Sequence, residues 1–339
     1  MSFKTVSIAG FGLVGQRRYS YLKKIKNIKI VAVSDSFLPY RKKFKGGRVF
    51  SNYLEMIKKV KTDIVFVCLP NKFAVNATYL ALNNGSNVFC EKPPARNFTE
   101  MKKLEKKMFK FKKQILMYGF NHRYHDSILE TKKIIDSKKF GKVINFRGAY
   151  GKSYLTPKIQ GSKKRKKHFS WRVRKKDSGG GILLDQGIHM VDMINFFSGN
   201  FINAKSFVSN NFWKKNVEDN VYTILKNKDD VYASIHSSAT LWKHNFSLDI
   251  TLERGMINLS GILSGTKSYG KEKISIIKRL KNNKVFEIKK KFTKDFSWHR
   301  EINQFLKQID NKKKIGNYSG GFRDAYETMR VIDLIYRSK

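Results

Sequence analysis

The chain is poor in the residues that staple or kink a small fold. Of 339 residues only two are cysteine and five are proline. Cys68 and Cys90 cannot build a disulfide framework or, by themselves, a zinc site. Both close neighbouring apolar runs, so buried and inert thiols are expected. Long apolar stretches are missing as well, since none reaches the roughly 18 residues of a membrane span. The opening MSFKTVSIAGFG ends its apolar run in glycines and shows no signal-peptide cleavage pattern, so the sequence reads as a soluble cytoplasmic protein. Negative charge is scarce. Asp and Glu number 26 against 70 Lys and Arg, a net charge of +44, and 54 of those bases are lysine.

Such an excess invites a nucleic-acid partner, but its distribution argues against a dedicated one. No Lys or Arg occurs between Gly179 and Gly199 or within the glycine loop at 10–15. No nucleic-acid-binding module is recognisable. Bases are dense in residues 151–178, where eleven of them, Lys163-Lys164-Arg165-Lys166-Lys167 included, face one acid, Asp177. Most of the excess therefore reads as solvated faces of a lysine-biased chain. The one dense basic loop points to an anionic small molecule more than to a polymer, so the expected partner is a small molecule, with no nucleic acid and no membrane.

What is present is enough apolar residue for a sizeable core, 41% with 13% aromatic, over a length that suits two domains. Through residue 120, apolar strand-like runs (Thr5–Ala9, Ile28–Ser34, Asp63–Leu69, Asn87–Cys90, Gln114–Tyr118) alternate with helical ones (Leu13–Ile25, Phe73–Asn83, Phe98–Phe109). That pattern predicts a doubly wound parallel sheet covered on both faces. It then changes. Asp126–Ser137 reads as helix, Lys142–Tyr150 as strand and Gly181–Phe197 as helix. Alternating runs from Ala204 to Lys291 carry no helix between them, the signature of an antiparallel sheet. Two helical segments, about Ser297–Ile309 and Gly321–Arg337, close the chain. The predicted class is α/β: a Rossmann-type domain at 1–121, then an α+β domain with a largely antiparallel open sheet at 122–339.

Three segments carry chemistry. Gly10-Phe11-Gly12-Leu13-Val14-Gly15 is a G-x-G-x-x-G loop between a predicted strand and a predicted helix. Its glycines permit a tight turn, close approach to a pyrophosphate and tight helix packing, while the helix N-terminus offers N–H groups to the phosphates. Asp35, followed by Ser36, ends the next strand and suits two ribose hydroxyls, which favours NAD over NADP. Arg41 is the residue that could instead reach a 2′-phosphate, although a solvated loop arginine is the plainer reading. Leu69-Pro70-Asn71 and Glu91-Lys92-Pro93 end two further strands, and in doubly wound sheets ligands bind beyond those ends. Pro93 restricts Lys92 to extended backbone, and its ammonium suits a developing alkoxide. In Gly179-Gly180-Gly181-Ile182-Leu183-Leu184-Asp185-Gln186-Gly187-Ile188-His189, the glycines read as an open approach for a ligand. Asp185 and His189, at i and i+4, share a helix face, a pairing suited to proton transfer. No third residue completes a metal site at a clear spacing.

Together these elements resemble the Gfo/Idh/MocA family of nicotinamide-dependent oxidoreductases, over essentially the whole chain. Tyr118-Gly119-Phe120-Asn121-His122-Arg123-Tyr124 is similar to the family's entry into its second domain, and Trp171-Arg172 before the triple glycine is usual there. The resemblance implies hydride transfer between NAD and a secondary alcohol or ketone of a sugar, inositol or nucleotide-linked sugar. It implies that Lys92, Asp185 and His189 are catalytic, that Arg123, Tyr124, Trp171 and Arg172 line the substrate, and that the outer face of the second sheet forms a homodimer, with tetramers common. After Pro70-Asn71 the family often has a histidine where this chain has Ala74. A glycoside-hydrolase-like enzyme that uses held NAD for a transient oxidation, and a non-catalytic NAD sensor, are the alternatives.

Overall fold

The first sheet is made of short strands whose side chains are buried towards their carboxyl ends. A computed structural model describes residues 3–153, 171–264, 267–280, 284–311 and 319–339. Strands β1 (Lys4–Ala9), β2 (Ile28–Ser34), β3 (Arg48–Phe50), β4 (Ile64–Val67), β5 (Asn87–Cys90) and β6 (Leu116–Tyr118) pair in parallel, in the order β3-β2-β1-β4-β5-β6. This is the doubly wound order whose switch point lies between β1 and β4. Helices α1 (Leu13–Leu22), α2 (Leu38–Arg41), α3 (Tyr53–Lys59), α4 (Asn71–Asn83) and α5 (Phe98–Met108) connect the strands. The all-buried IVFV of β4 shows why a central parallel strand reads as continuous apolar sequence.

This compact unit comprises Met1–Phe120 together with Trp298–Tyr326, and the second comprises Asn121–Ser297 with Glu327–Lys339. The expected division at 121/122 had assigned the whole tail to the second domain. The chain returns because α9 (Ser297–Asn311) has apolar side chains to bury. Its Phe305 sits edge-on to Phe66 and Phe89, at 5.9 and 5.4 Å, and those two rings stack on each other at 5.1 Å.

The second unit holds an eight-stranded sheet in the order β14-β13-β12-β11-β7-β10-β9-β8. Its strands are β7 (Val143–Ser153), β8 (Phe201–Ser209), β9 (Asn220–Asn227), β10 (Tyr232–Ser238), β11 (Thr240–Leu252), β12 (Gly255–Ser260), β13 (Glu272–Arg279) and β14 (Val285–Phe292). Only the β7–β10 pair is parallel. Helix α6 (Asp126–Asp136), the short α7 (Lys175–Ser178), α8 (Ile188–Ser198) and α10 (Phe322–Arg337), with a 3-10 turn at Asn121–Tyr124 and a π turn at Leu183–Gly187, complete the described elements. Alternation sets the faces. On β9, Val221, Thr223 and Leu225 are buried while Tyr222 and Ile224 are exposed. Two glycines let α8 and the sheet come close: a Cβ on Gly148 of β7 would lie 3.0 Å from Met190 Sδ, and one on Gly187, just before α8, would lie 2.2 Å from Ser237 Oγ. The outer face leaves Ile144, Ile202, Phe207, Tyr222, Ile224 and Tyr232 exposed. No helix of the described residues is long and apolar enough to cross a membrane.

Helix α6 is tied to β13 by a buried pair. Glu272 Oε1 accepts the Ser127 N–H at 2.7 Å, and Oε2 lies 2.8 Å from His125 Nδ1. Burial alone would raise this carboxyl, but the hydrogen bond and charge of His125, with the Ser127 bonds, outweigh it and hold it below its ordinary value of 4.5. A carboxyl depressed in the folded state stabilises the fold above its unfolded value and loses that contribution as pH falls through the folded one. The stability advantage of the wild type over Glu272→Gln is therefore expected to narrow below pH 4.5, measured by denaturant titration at a series of pH values. A gap that stays constant on acidification would contradict it.

Candidate active site

In the first unit the chain leaves β1 at Ala9 through a loop whose glycines have separable reasons. Gly10 has φ +91°, and a Cβ on it would lie 2.4 Å from the Cys68 carbonyl oxygen. A Cβ on Gly15 would lie 2.0 Å from the Gly10 carbonyl oxygen. The fold itself requires both. Gly12 is different, because its Cβ would meet only the Tyr40 ring edge, at 3.6 Å. Among the described residues no packing demands a glycine there, and its lack of a side chain leaves the loop backbone open to a ligand. Gly12 is also the N-cap of α1, and no side chain caps that helix. Its first-turn N–H groups, from Leu13 and Val14 onward, suit an anion.

Asp35 follows β2 and is half-buried. One carboxylate oxygen accepts the Phe11 N–H at 2.8 Å and the other accepts the Phe37 N–H at 2.8 Å. It thus braces the glycine loop, a task the sequence did not disclose, and keeps lone pairs for ribose hydroxyls. Ser36 beside it is exposed. Arg41 does not project freely, since its Nη1 donates to the Asp35 backbone oxygen at 3.1 Å. Leu69 and Pro70 are half-buried, and Asn71 is buried at the start of α4. Ala74, on the same helix, is buried as well. The residues present therefore suit a dinucleotide, and NAD, when bound, supplies the hydride acceptor.

Glu91 closes β5, with its N–H on the Val67 carbonyl at 2.8 Å. Its carboxylate is held by Arg18, whose Nε donates at 2.6 Å and whose Nη2 reaches Glu301 at 2.8 Å. The guanidinium is fully buried between the rings of Phe89 and Trp298, at 4.4 and 4.2 Å. Burial opposes its charge, but Glu91 and Glu301 outweigh that and keep it charged. Lys92 follows, half-buried, and its bond to Pro93 is cis. The thiols are free. Burial pushes Cys68 up and Cys90 up to about 12, so neither is a thiolate near neutral pH.

In the second unit the triple glycine serves packing, which corrects its reading as an open approach for a ligand. A Cβ on Gly180 would lie 2.1 Å from the Tyr336 hydroxyl, and one on Gly181 would lie 2.0 Å from the Glu218 carbonyl oxygen. Glu218 is the reason. Its carboxylate accepts the Gly181 N–H at 2.8 Å, the Leu183 N–H at 3.0 Å and the Tyr336 hydroxyl at 2.9 Å. A buried acid from elsewhere in the chain thus caps the helix entry, and burial pushes its carboxyl up. The helix expected over Gly181–Phe197 is also not uniform, since Leu183–Gly187 forms a π-helical turn before α8 begins.

Asp185 lies in that turn. Lys152 Nζ donates to it at 2.6 Å, and Arg172 Nε stands 3.8 Å from its other oxygen. Arg172 in turn lies over the Trp171 ring at 4.4 Å. Asp185, Trp171 and Arg172 thus gather with one further base from the same basic stretch, while Lys163–Lys167 lies outside the described residues. The His189 ring, on α8, is buried against the His122 ring, with centroids 3.7 Å apart and planes 15° from parallel. Arg123, expected to line the substrate, is 1% exposed and gives Nε and Nη2 to Asp192 at 2.8 and 2.6 Å. Its guanidinium fastens residues 121–124 to α8. Tyr124 is buried beside it.

Sequence reasoning missed Arg18, Glu218 and His122. A signal existed for Arg18, which occupies the inward stripe Gly15, Arg18, Leu22 of α1, where a charge is out of place unless paired.

A family model described as "Oxidoreductase family, NAD-binding Rossmann fold" matches residues 4–120, and the GFO/IDH/MocA C-terminal domain matches residues 128–258. D-glucoside 3-dehydrogenase of Escherichia coli (strain K12) is 30% identical over 275 residues, 75% of this chain and 73% of its own. The chain belongs to the Gfo/Idh/MocA oxidoreductase family. Among solved structures, levoglucosan dehydrogenase in complex with NADH superposes with a TM-score of 0.85 at 18% identity, covering 99% of this chain and 97% of that one. The myo-inositol 2-dehydrogenase of Lactobacillus plantarum does so with a TM-score of 0.78 at 23% identity, covering 99% and 97%. These likenesses are of fold. As a member of the family, the chain is an NAD-dependent oxidoreductase with a Rossmann domain.

Proposed function

We propose that this Gfo/Idh/MocA member transfers hydride between NAD and a secondary hydroxyl of a sugar or cyclitol ring, with Lys92, Asp185 and His189 as its catalytic residues. The observation that carries the cofactor half is Gly12, a glycine with open space before it at an uncapped helix end, with Asp35 bracing the same loop. Sugar and cyclitol names among its relatives carry the substrate half. In oxidation His189 takes the hydroxyl proton, Lys92 donates to the same oxygen as charge develops, and Asp185 supports the imidazolium. Lys152 meets the Asp185 carboxylate at 2.6 Å, so that charge is met within the protein, and the sugar and cyclitol names among the relatives favour a neutral ring over a nucleotide-linked one. The exposed apolar outer face of the second sheet suits a homodimer.

A panel of glucosides, anhydrosugars, inositols and nucleotide sugars, incubated with NAD and followed by NADH absorbance, tests this reading. Net NADH formation with a neutral ring substrate is expected. Turnover of a glycoside without net NADH would favour the hydrolase-like alternative, and cofactor binding without turnover of any kind would favour a sensor.

A further inference from the structure

In the second unit a run of hydrogen bonds ends at the ring stacked on His189, and the group at its far end fixes its polarity. An Asp295 carboxylate oxygen accepts from the Ser297 N–H at 2.9 Å and from the Ser297 hydroxyl at 2.6 Å. A carboxylate only accepts. Ser297 has therefore given its proton away, and its oxygen accepts from the Asn121 amide at 3.2 Å. That turns Asn121 Nδ2 towards Ser297 and its Oδ1 towards His122 Nδ1, 3.2 Å away, which must then be the N–H. The other nitrogen of His122, Nε2, lies 2.8 Å from the Tyr150 hydroxyl. Burial pushes the Tyr150 phenol up, so the hydroxyl keeps its proton and donates it to Nε2, while Tyr269 packs edge-on to the Tyr150 ring at 5.3 Å. Both nitrogens of His122 are thereby assigned: Nδ1 carries the proton and Nε2 accepts from Tyr150.

We infer that His122 is a positioning residue for His189: a ring held neutral by Asn121 and Tyr150, stacked on the base so that it stabilises the imidazolium and fixes its plane. This rests on the reading of His189 as the proton acceptor. At a 3.7 Å separation, two charged rings would repel strongly, whereas a neutral ring offers its π face to a cation. The other titratable groups around the pair carry their own partners. His125, edge-on to His122 at 5.5 Å, is bonded to Glu272. Asp192 is bonded to Arg123, and Asp185 to Lys152 with Arg172 near. His244 packs edge-on to Tyr269, and Phe246 adds an apolar edge to His122. The Tyr150 hydroxyl is therefore the group that sets the state of His122.

Ring nitrogen shifts of protein labelled with 15N-histidine, assigned with the His122→Phe variant, read this directly. His122 is expected to remain a neutral Nδ1–H tautomer from about pH 5 to 8 while another imidazole titrates. An Nε2–H tautomer, or a His122 that protonates in that range, overturns the inference. Kinetics give a second reading. In His122→Leu the acidic limb of kcat/KM is expected to move to lower pH by up to about one unit, because the protonated base has lost its partner. His122→Phe, which keeps a flat ring, is expected to restore it. Equal shifts in the two variants would also overturn the inference. If His189→Ala keeps its turnover, the base assignment fails instead, and the nitrogen shifts still report on His122 alone.

Discussion

Alanine at position 189 is expected to lower turnover about 10²–10⁴-fold, the range lost when a positioned acid–base group is removed. The reasoning starts from where His189 lies. It is buried on the inward side of α8, its plane set by a stacked ring, and α8 is held on the sheet by close approaches at Gly148 and Gly187. A base so fixed loses little orientational freedom on reaction, which is where much of its effect arises. The glycine loop and Asp35 belong to the other compact unit, so NAD affinity is expected to survive the substitution. Steady-state rates in both directions, with calorimetric titration of NAD, check both halves. Near-wild-type turnover would remove His189 from the chemistry. Loss of NAD binding would point to damage beyond the site.

Alanine at position 18 is expected to cost about 3–5 kcal/mol of stability, the usual consequence of taking one partner from a buried ion pair. Arg18 is shared between Glu91 and Glu301 and sandwiched by Phe89 and Trp298. Its removal takes from two carboxylates the cation they share, one of them fully buried. It also loosens the residue immediately before Lys92. Denaturant titration of Arg18→Ala against the wild type measures the loss. Adding Glu301→Gln to the same variant should recover part of it, since one of the stranded charges is then gone. A single-variant loss of less than about 1 kcal/mol, typical of an exposed pair, would show that the cluster is not a buried ion pair in solution.

Much of the architecture was legible because it rests on local pattern. IVFV and NVFC announce central parallel strands, and the alternation of Val221, Thr223 and Leu225 with Tyr222 and Ile224 announces a one-sided sheet. The loop at Gly10–Gly15 was readable because strand, turn, helix and Asp35 are close in sequence. What escaped depends on residues far apart in the chain. Glu218 caps a helix entry 37 residues before it. Arg18 reaches Glu301, 283 residues away. His122 becomes informative only when it is seen lying on His189. Arg123 was assigned to the substrate because an arginine in a motif suggests a ligand, whereas its partner is Asp192, three residues beyond His189. Sequence order alone places the tail in the second domain, because it does not show Phe305 packing edge-on against the stacked rings of Phe66 and Phe89.

The π-helical turn at Leu183–Gly187 has a consequence for how α8 is clocked. A π turn takes in one residue more than an α turn, and each α-helical residue advances the face by about 100°. His189, Asp192 and the rest of α8 are therefore rotated by roughly that angle from where an uninterrupted helix begun at Ile182 would aim them. The stack on His122 and the double bond from Arg123 to Asp192 are both made at this phase. The extra residue thus acts as an angular setting, fixed ahead of the helix by the Glu218 cap, and it selects which side chains of α8 meet residues 121–124.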